Sequence, residues 1–153
     1  MKHTLINAQI RSLLEEPDMI AALANVSACI MENYSSLNWA GFYFVKNNEL
    51  VLGPFQGKTA CTHIPFEKGV CGTCYRTMLP VRVDDVHAFP GHIACDSASR
   101  SELCVPVILE GKCIMEIDLD APIPSRFTMD EENEMLEAAN DISLAFLQHE
   151  WSV

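Results

Sequence analysis

Apolar residues recur at helical spacing at both ends of the chain. Residues 2–16 carry leucine and isoleucine at three- and four-residue steps as far as Pro17, and residues 20–30 repeat the pattern. Near the C-terminus, Thr128 and Glu131 form a capping box. Behind it runs one apolar stripe: Met135, Ala138, Ala139, Ile142, Ala145 and Phe146. The sequence therefore predicts helices at both ends of the fold.

The middle of the chain has the composition of strands. Residues 39–45 are aromatic and β-branched, residues 47–48 mark a turn, and a second strand starts at 50–52. Residues 103–109 and 113–119 predict a hairpin around Glu110 and Gly111.

Between these strands, from residue 53 to about residue 91, the pattern breaks up. It leaves a short helix over 70–78 and a short strand over 81–83. Helices flanking five or six mostly antiparallel strands define an α+β fold, with the sheet packed on the helices. No repeat or linker divides the chain, so residues 1–153 are expected to form a single domain.

Composition narrows the class of protein. A chain of 153 residues can bury a core without disulfides, and a net charge of −11 argues against nucleic acid as a partner. No export leader and no apolar run of roughly 18 residues is found, so we expect a soluble cytoplasmic protein. Its seven cysteines are then normally reduced.

The strand 113–119 and its exit carry acids on one face. Alternation places an apolar set on one side and an acidic set on the other: Met115, Ile117 and Leu119 against Glu116, Asp118 and Asp120. The acidic side is either a solvated face or a site for a cation, such as an ammonium group or a metal, which would relieve the repulsion between the acids.

Two aromatic residues share a face of the first strand. Trp39 and Tyr43 flank Gly41, which has no side chain to fill the space between them. They are either core aromatics or the walls of a slot that holds a small polarisable group such as a sulfur group.

Three cysteines, Cys61, Cys71 and Cys95, lie in the irregular central stretch, where a thiol is expected to be present for its reactivity. Cys71 opens the predicted short helix, a position that would lower the pKa of its thiol, and it forms a C-x-x-C pair with Cys74. The segment 96–102 after Cys95 is small and polar, and we expect it to be exposed and to bring Glu102 near that thiol.

The C-x-x-C pair is typical of a redox motif or of half a zinc site. A zinc site would need two more ligands from a dispersed set: Cys61, His63, His87, His92 and Cys95. The remaining cysteines, Cys29, Cys104 and Cys113, fit a helix face or strands and are interpreted as small buried apolar residues.

Seven short motifs, in this order, resemble those of the free methionine-(R)-sulfoxide reductases, which are built on a GAF domain. They are Trp39-Ala-Gly-Phe-Tyr43, Gly53-Pro-Phe-Gln-Gly57-Lys-Thr-Ala-Cys61, Gly69-Val-Cys71-Gly72, Asp84-Asp85-Val86-His87, Gly91-His92-Ile-Ala-Cys95-Asp96, Ser101-Glu102 and Asp118-Leu-Asp120. The resemblance runs from about residue 38 to residue 130. It implies a GAF-like domain that reduces free methionine (R)-sulfoxide to methionine.

The resemblance also implies roles for individual residues. Cys95 matches the nucleophile, Cys61 the cysteine that resolves it, and Cys71 a cysteine with a secondary or recycling part. Trp39 and Tyr43 match the aromatic pocket around the sulfoxide methyl group. The acids Glu102, Asp118 and Asp120 match the groups that contact the ammonium and sulfoxide ends of the substrate.

We further expect Glu102 to be held protonated by its acidic neighbours and to act as general acid, while Asp118 and Asp120 stay ionised and pair with the ammonium group. Cys95 would become a sulfenic acid, and Cys61 would condense with it to a disulfide. Thioredoxin, supplied by NADPH through thioredoxin reductase, would recycle the enzyme. No bound cofactor and no metal is expected, and the end helices are expected to form a homodimer.

The sequence departs from the usual family pattern at a few positions: Met115, Glu116, Cys74, Cys104 and Cys113. Two other classes of function remain open. One is a GAF module that senses a small ligand or redox state without turnover. The other is a zinc protein that uses the cysteines named above.

Overall fold

The computed structural model describes residues 4–92 and 95–153. Over these residues the chain forms four α-helices: α1 (Leu5–Leu13), α2 (Met19–Asn33), α3 (Gly69–Thr77) and α4 (Met129–His149). Side chains of Thr4, Asp18 and Thr128 cap α1, α2 and α4, and the predicted capping box before α4 is present. No helix within the described ranges is long and apolar enough to cross a membrane.

The described residues form one six-stranded sheet, in which every pair of neighbouring strands is antiparallel. Its strands are β1 (Trp39–Lys46), β2 (Glu49–Gly57), β3 (His63–Ile64), β4 (Val81–Val83), β5 (Ser101–Leu109) and β6 (Lys112–Ala121). They lie in the order β3-β2-β1-β6-β5-β4. The predicted α+β fold is confirmed.

Strand β2 is longer than the sequence pattern indicates. It continues through Gly53 and Pro54, where the pattern breaks up, and ends at Gly57. The register against β1 shifts here, so that Gly53 and Pro54 together stand opposite Phe42. Proline and glycine are tolerated in a strand at such a bulge, because the ladder of hydrogen bonds is already interrupted.

The sheet separates two apolar clusters. One cluster packs between the sheet and helices α1, α2 and α4, and includes Phe42, Val105 and the apolar set of β6. The other cluster lies on the opposite face beneath α3, and includes Trp39, Tyr43 and Cys104. Adjacent residues of one strand thus belong to different clusters, as the alternation of side chains requires.

Candidate active site

A pocket opens on the face of the sheet that carries α3. Seven residues predicted for the site line it together: Trp39, Tyr43, Cys71, Cys95, Glu102, Asp118 and Asp120. The central strands β1, β5 and β6 supply the aromatic and acidic groups, and α3 supplies Cys71. Residues that are up to 81 positions apart in the sequence, Trp39 and Asp120, lie directly opposite each other in the register of β1 and β6.

Cys61 and Cys95 are joined by a disulfide, with a Cα–Cα distance of 5.3 Å, and Cys95 lines this pocket. These are the two cysteines that the resemblance pairs. The Tyr43 hydroxyl donates a hydrogen bond to the Cys61 carbonyl oxygen at 2.9 Å, which ties the loop carrying Cys61 to β1. On the other side, Asn38 donates to Asp96 at 2.9 Å and to Ser99 at 3.1 Å, which holds the segment after Cys95.

The two aromatic rings lie on one face as predicted, with centroids 5.8 Å apart and planes inclined by 25°. The space above Gly41, however, is not the slot. A Cβ atom at Gly41 would meet the Cβ of Phe55 at 2.3 Å, so β2 fills this space. Phe55 also stacks on Trp39 at 5.1 Å. Glycine is required here because β2 approaches β1 closely at the bulge.

The acidic face of β6 is buried, so its interpretation as a solvated face is wrong. Glu116 is fully buried, Glu102 and Asp118 are nearly so, and Asp120 is half-buried. Burial raises the pKa of Glu102 well above its ordinary value, and the charges of Asp118 and Asp120 raise it further. The neighbouring Glu102 side chain lowers the pKa of Asp118, against the larger effect of burial, which raises it.

The expectation that Asp118 and Asp120 are ionised and pair with an ammonium group stays a prediction. Burial raises the pKa of both carboxyl groups, and for Asp120 the charges of Asp118 and Asp96 add to it. An ammonium group between them would lower both pKa values by direct attraction.

Cys71 is neither in a loop nor activated by the helix. It lies in the first turn of α3, where it is 4 % exposed, because α3 presents this face to β5 and β6. Contact with Cys104 lowers the pKa of its thiol, but burial and the charges of Asp118, Glu116 and Glu102 outweigh that effect, and the pKa is well above its usual value.

Cys104 and Glu116 belong to the site. From the sequence, Cys104 is expected only to be a buried apolar residue. Cys104 is indeed fully buried, but its sulfur lies 3.7 Å from that of Cys71 and 3.2 Å from Glu116 Oε1. Cys71 Sγ in turn lies 3.8 Å from Glu102 Oε2. Cys104 and Glu116 both depart from the usual family pattern, and this shared departure is the one signal in the sequence that they are neighbours.

A positively charged side chain, Lys68, also lines the pocket, and no sequence motif considered above includes it. Lys68 precedes α3 and lines the pocket beside Gly69 and Val70. Free backbone N–H groups and the partial positive charge at the start of a helix favour an anion at such a place. The pocket thus has an acidic floor and a positive rim.

The zinc interpretation is not supported by its predicted ligands. Cys61 and Cys95 are in the disulfide, while His63 is exposed and lies 2.6 Å from Glu49. Among the described residues, two buried donor sets have the spacing to hold a metal ion: Cys71, Cys104 and Glu116, and Cys71, Glu102 and Asp118. We assign both sets to the network of thiols and acids described above.

The fold and the pocket define a class of protein. The GAF domain family matches residues 12–146, so the chain is a GAF-domain protein. Free methionine-R-sulfoxide reductase of Escherichia coli is 44% identical over 128 residues, which cover 83% of this chain and 78% of that protein. The chain therefore belongs to the free methionine-R-sulfoxide reductase family and is an oxidoreductase.

Solved structures give the same result. The reduced form of fRMsr of Staphylococcus aureus superposes with a TM-score of 0.88 at 46% identity, covering 92% of each chain. Free methionine-R-sulfoxide reductase of Neisseria meningitidis, in complex with its substrate, superposes with a TM-score of 0.92 at 40% identity, covering 97% of this chain and 90% of that chain.

Proposed function

We propose that this protein reduces free L-methionine (R)-sulfoxide to L-methionine through a cysteine sulfenic acid on Cys95 and a disulfide between Cys61 and Cys95. One observation carries the proposal: Cys95, which is bonded to Cys61, lines the same pocket as Glu102 and Asp118. A nucleophilic sulfur, a proton donor and an anionic floor around one cavity are what the reduction of a zwitterionic sulfoxide requires.

The two electrons that reduce the sulfoxide come from the thiols of Cys95 and Cys61. The Cys95 thiolate attacks the sulfoxide sulfur, the oxygen takes up a proton, and methionine leaves with Cys95 as a sulfenic acid. The Cys61 thiol then attacks the Cys95 sulfur, which expels the oxygen as water and forms the disulfide. One sulfoxide is reduced for each pair of thiols oxidised, and an external dithiol such as thioredoxin restores both.

Glu102 is the general acid of this mechanism. Its carboxyl group is buried among like charges, which favours the protonated form near neutral pH. A carboxylic acid in that state can donate to the sulfoxide oxygen as the S–O bond weakens. The Cys71 thiol lies 3.8 Å from Glu102 Oε2 within the pocket.

Complementary charges at the two ends of the pocket bind the amino acid part of the substrate. Asp118 Oδ1 is buried without a hydrogen-bond partner among the described residues, and it accepts from the substrate ammonium together with Asp120. Lys68 and the start of α3 bind the carboxylate. Trp39, whose Nε1 likewise has no partner within the described part of the chain, and Tyr43 line the position of the sulfoxide.

Replacing Glu102 by glutamine should lower kcat by about 10²- to 10⁴-fold, because the amide keeps the shape of the group but cannot transfer the proton. The general acid must be protonated, and its pKa is raised, so wild-type kcat should fall only as pH rises through that raised value. The variant should lack this alkaline limb. Steady-state pH profiles of both proteins measure the effect.

The matched control is Glu67→Gln, at an exposed position just outside the pocket. It should keep the wild-type rate and the wild-type pH profile. If Glu102→Gln retained full turnover at every pH, Glu102 would not be the general acid.

Oxidation of NADPH coupled through thioredoxin reductase and thioredoxin tests the function as a whole. The free (R)-sulfoxide should be turned over at a rate proportional to protein concentration, and the free (S)-sulfoxide should not. Absence of turnover for both epimers, also with a small dithiol as reductant, would favour the alternative of a GAF module that binds a ligand without reducing it.

The proposal also covers the reductant, the cellular compartment and the oligomeric state. Thioredoxin or a similar dithiol protein in the cytoplasm is the reductant, and the sulfurs of Cys61 and Cys95 separate and meet again as the disulfide opens and closes. A homodimer forms through the end helices. Exposed apolar side chains on α1, α2 and α4 support this surface: Leu5, Ile20, Leu144 and Leu147.

A further inference from the structure

At and behind the pocket wall lies a group of three free thiols that the mechanism above does not use: Cys71, Cys74 and Cys104. Cys74 and Cys104 are fully buried, and Cys71 is 4 % exposed. The sulfurs of Cys71 and Cys104 are 3.7 Å apart. Cys71 lines the same pocket as Cys95, and it packs in the same apolar cluster as Cys61 and Cys95.

A buried carboxyl group adjoins these thiols. Glu116 Oε1 lies 3.2 Å from the sulfur of Cys104, and Glu116 Oε2 has no hydrogen-bond partner among the described residues. Burying a carboxylate oxygen without a hydrogen-bond partner costs free energy, so its position beside a thiol calls for an explanation. One explanation is that Glu116 acts as a base that takes up the thiol proton.

We propose that Cys71 and Cys104 form a second redox pair, which accepts the oxidation held by the Cys61–Cys95 disulfide and returns Cys61 and Cys95 to thiols. The inference rests on the proposed function, because the sulfoxide is the oxidant that drives it. With this second pair, the thiols of one fully reduced chain supply four electrons rather than two.

The exchange balances without any further reactant. The Cys71 sulfur attacks Cys95 within the shared pocket, and Cys61 leaves as a thiol. Cys104 then attacks Cys71 in the resulting mixed disulfide, Cys95 leaves as a thiol, and the Cys71–Cys104 disulfide forms. Each attacking thiol gives up one proton and each leaving thiolate takes one up, so two thiols are oxidised and one disulfide is reduced.

The geometry suits the second step. To bond, the sulfurs of Cys71 and Cys104 must close from 3.7 Å to about 2.05 Å, a distance within the reach of side-chain rotation. Burial raises the pKa of the Cys104 thiol, so its attack needs a base in contact with it. Glu116 is that base, because its Oε1 lies 3.2 Å from the Cys104 sulfur and accepts from the thiol.

Access explains the order of the steps. Cys104 is fully buried and cannot reach an external disulfide, whereas Cys71 reaches both the pocket and Cys104. Cys71 therefore relays oxidation inward. Reduction by an external dithiol takes the reverse path, through Cys71 to the Cys61–Cys95 pair.

A single-turnover count tests the inference. Fully reduced protein, freed of reductant and kept from oxygen, is mixed with excess free (R)-sulfoxide, and the methionine formed per chain is measured by chromatography. Wild type should form two methionines per chain and Cys104→Val only one. The controls Cys74→Ala and Cys29→Ser should form two. Non-reducing peptide mapping of the oxidised wild type should contain the Cys71–Cys104 peptide pair.

The outcomes separate the inference from the function on which it rests. One methionine per chain from wild type would overturn the second pair and leave the reductase in place, whereas none would overturn the reductase. Two from both wild type and Cys104→Val would also overturn the second pair. The one methionine expected from Cys104→Val shows in the same experiment that this variant is folded.

Discussion

Serine in place of Cys95 is expected to lower kcat/KM for free methionine (R)-sulfoxide by about 10⁴-fold or more, the scale on which loss of a catalytic nucleophile acts. The serine hydroxyl is almost fully protonated at neutral pH and is a poor nucleophile toward sulfur. The substitution replaces the sulfur atom by oxygen and leaves the volume of the side chain nearly unchanged. Stopped single-turnover reactions with the (R)-sulfoxide, in which methionine is counted directly, measure the loss.

The matched control is Cys29→Ser, in α2 on the helical side of the sheet. It introduces the same chemical change at a thiol that does not line the pocket, and it should keep the wild-type rate. If Cys95→Ser retained a tenth of the wild-type rate while Cys61→Ser did not, the nucleophile would be Cys61 and the roles of the pair would be reversed.

Acetylation of the substrate nitrogen is expected to lower kcat/KM by about 10⁴-fold, because a site built around a charged donor discriminates strongly against a substrate without it. Asp118 is 5 % exposed, so water cannot replace the missing ammonium group. The pair Asp118 and Asp120 would remain beside an uncharged amide. Parallel rates with the free and the N-acetylated (R)-sulfoxide measure the effect.

The amide of the substrate carboxyl group provides a control for this comparison. It keeps the ammonium group and alters the opposite end, which lies by Lys68 at the exposed rim, so a smaller loss is expected. Equal rates for the free and the N-acetylated substrates would contradict a pocket that recognises the ammonium group. Such a protein would also act on oxidised methionine within peptides.

Local patterns were sufficient to predict the elements that bury a regular apolar face. Strand β6 is an example, since the alternation of residues 115–120 places its acids opposite its apolar side chains. The capping box at Thr128 likewise predicts the start of α4. Both signals depend on residues within a few positions of one another, and this is why a single sequence contains them.

The features that were missed depend on contacts between distant residues. The burial of the acids on β6 follows from α3 covering that face, and the pocket-facing position of Cys71 follows from the same packing. Cys71 and Cys104 are separated by 33 positions, and their contact cannot be deduced from spacing. The space above Gly41 is filled by Phe55 because of a bulge between two strands, which local alternation does not reveal.

The division of β6 between two faces has a consequence for how this protein can change. Met115 and Ile117 lie in the cluster beneath the helices, while Glu116 and Asp118 lie on the opposite face, where Glu116 contacts Cys104 and Asp118 lines the pocket. Natural selection can therefore act on alternate positions of one strand almost independently, retaining the odd-numbered residues for folding and exploring the even-numbered ones for new ligands. A GAF domain can thus acquire a different chemistry without first rebuilding its core.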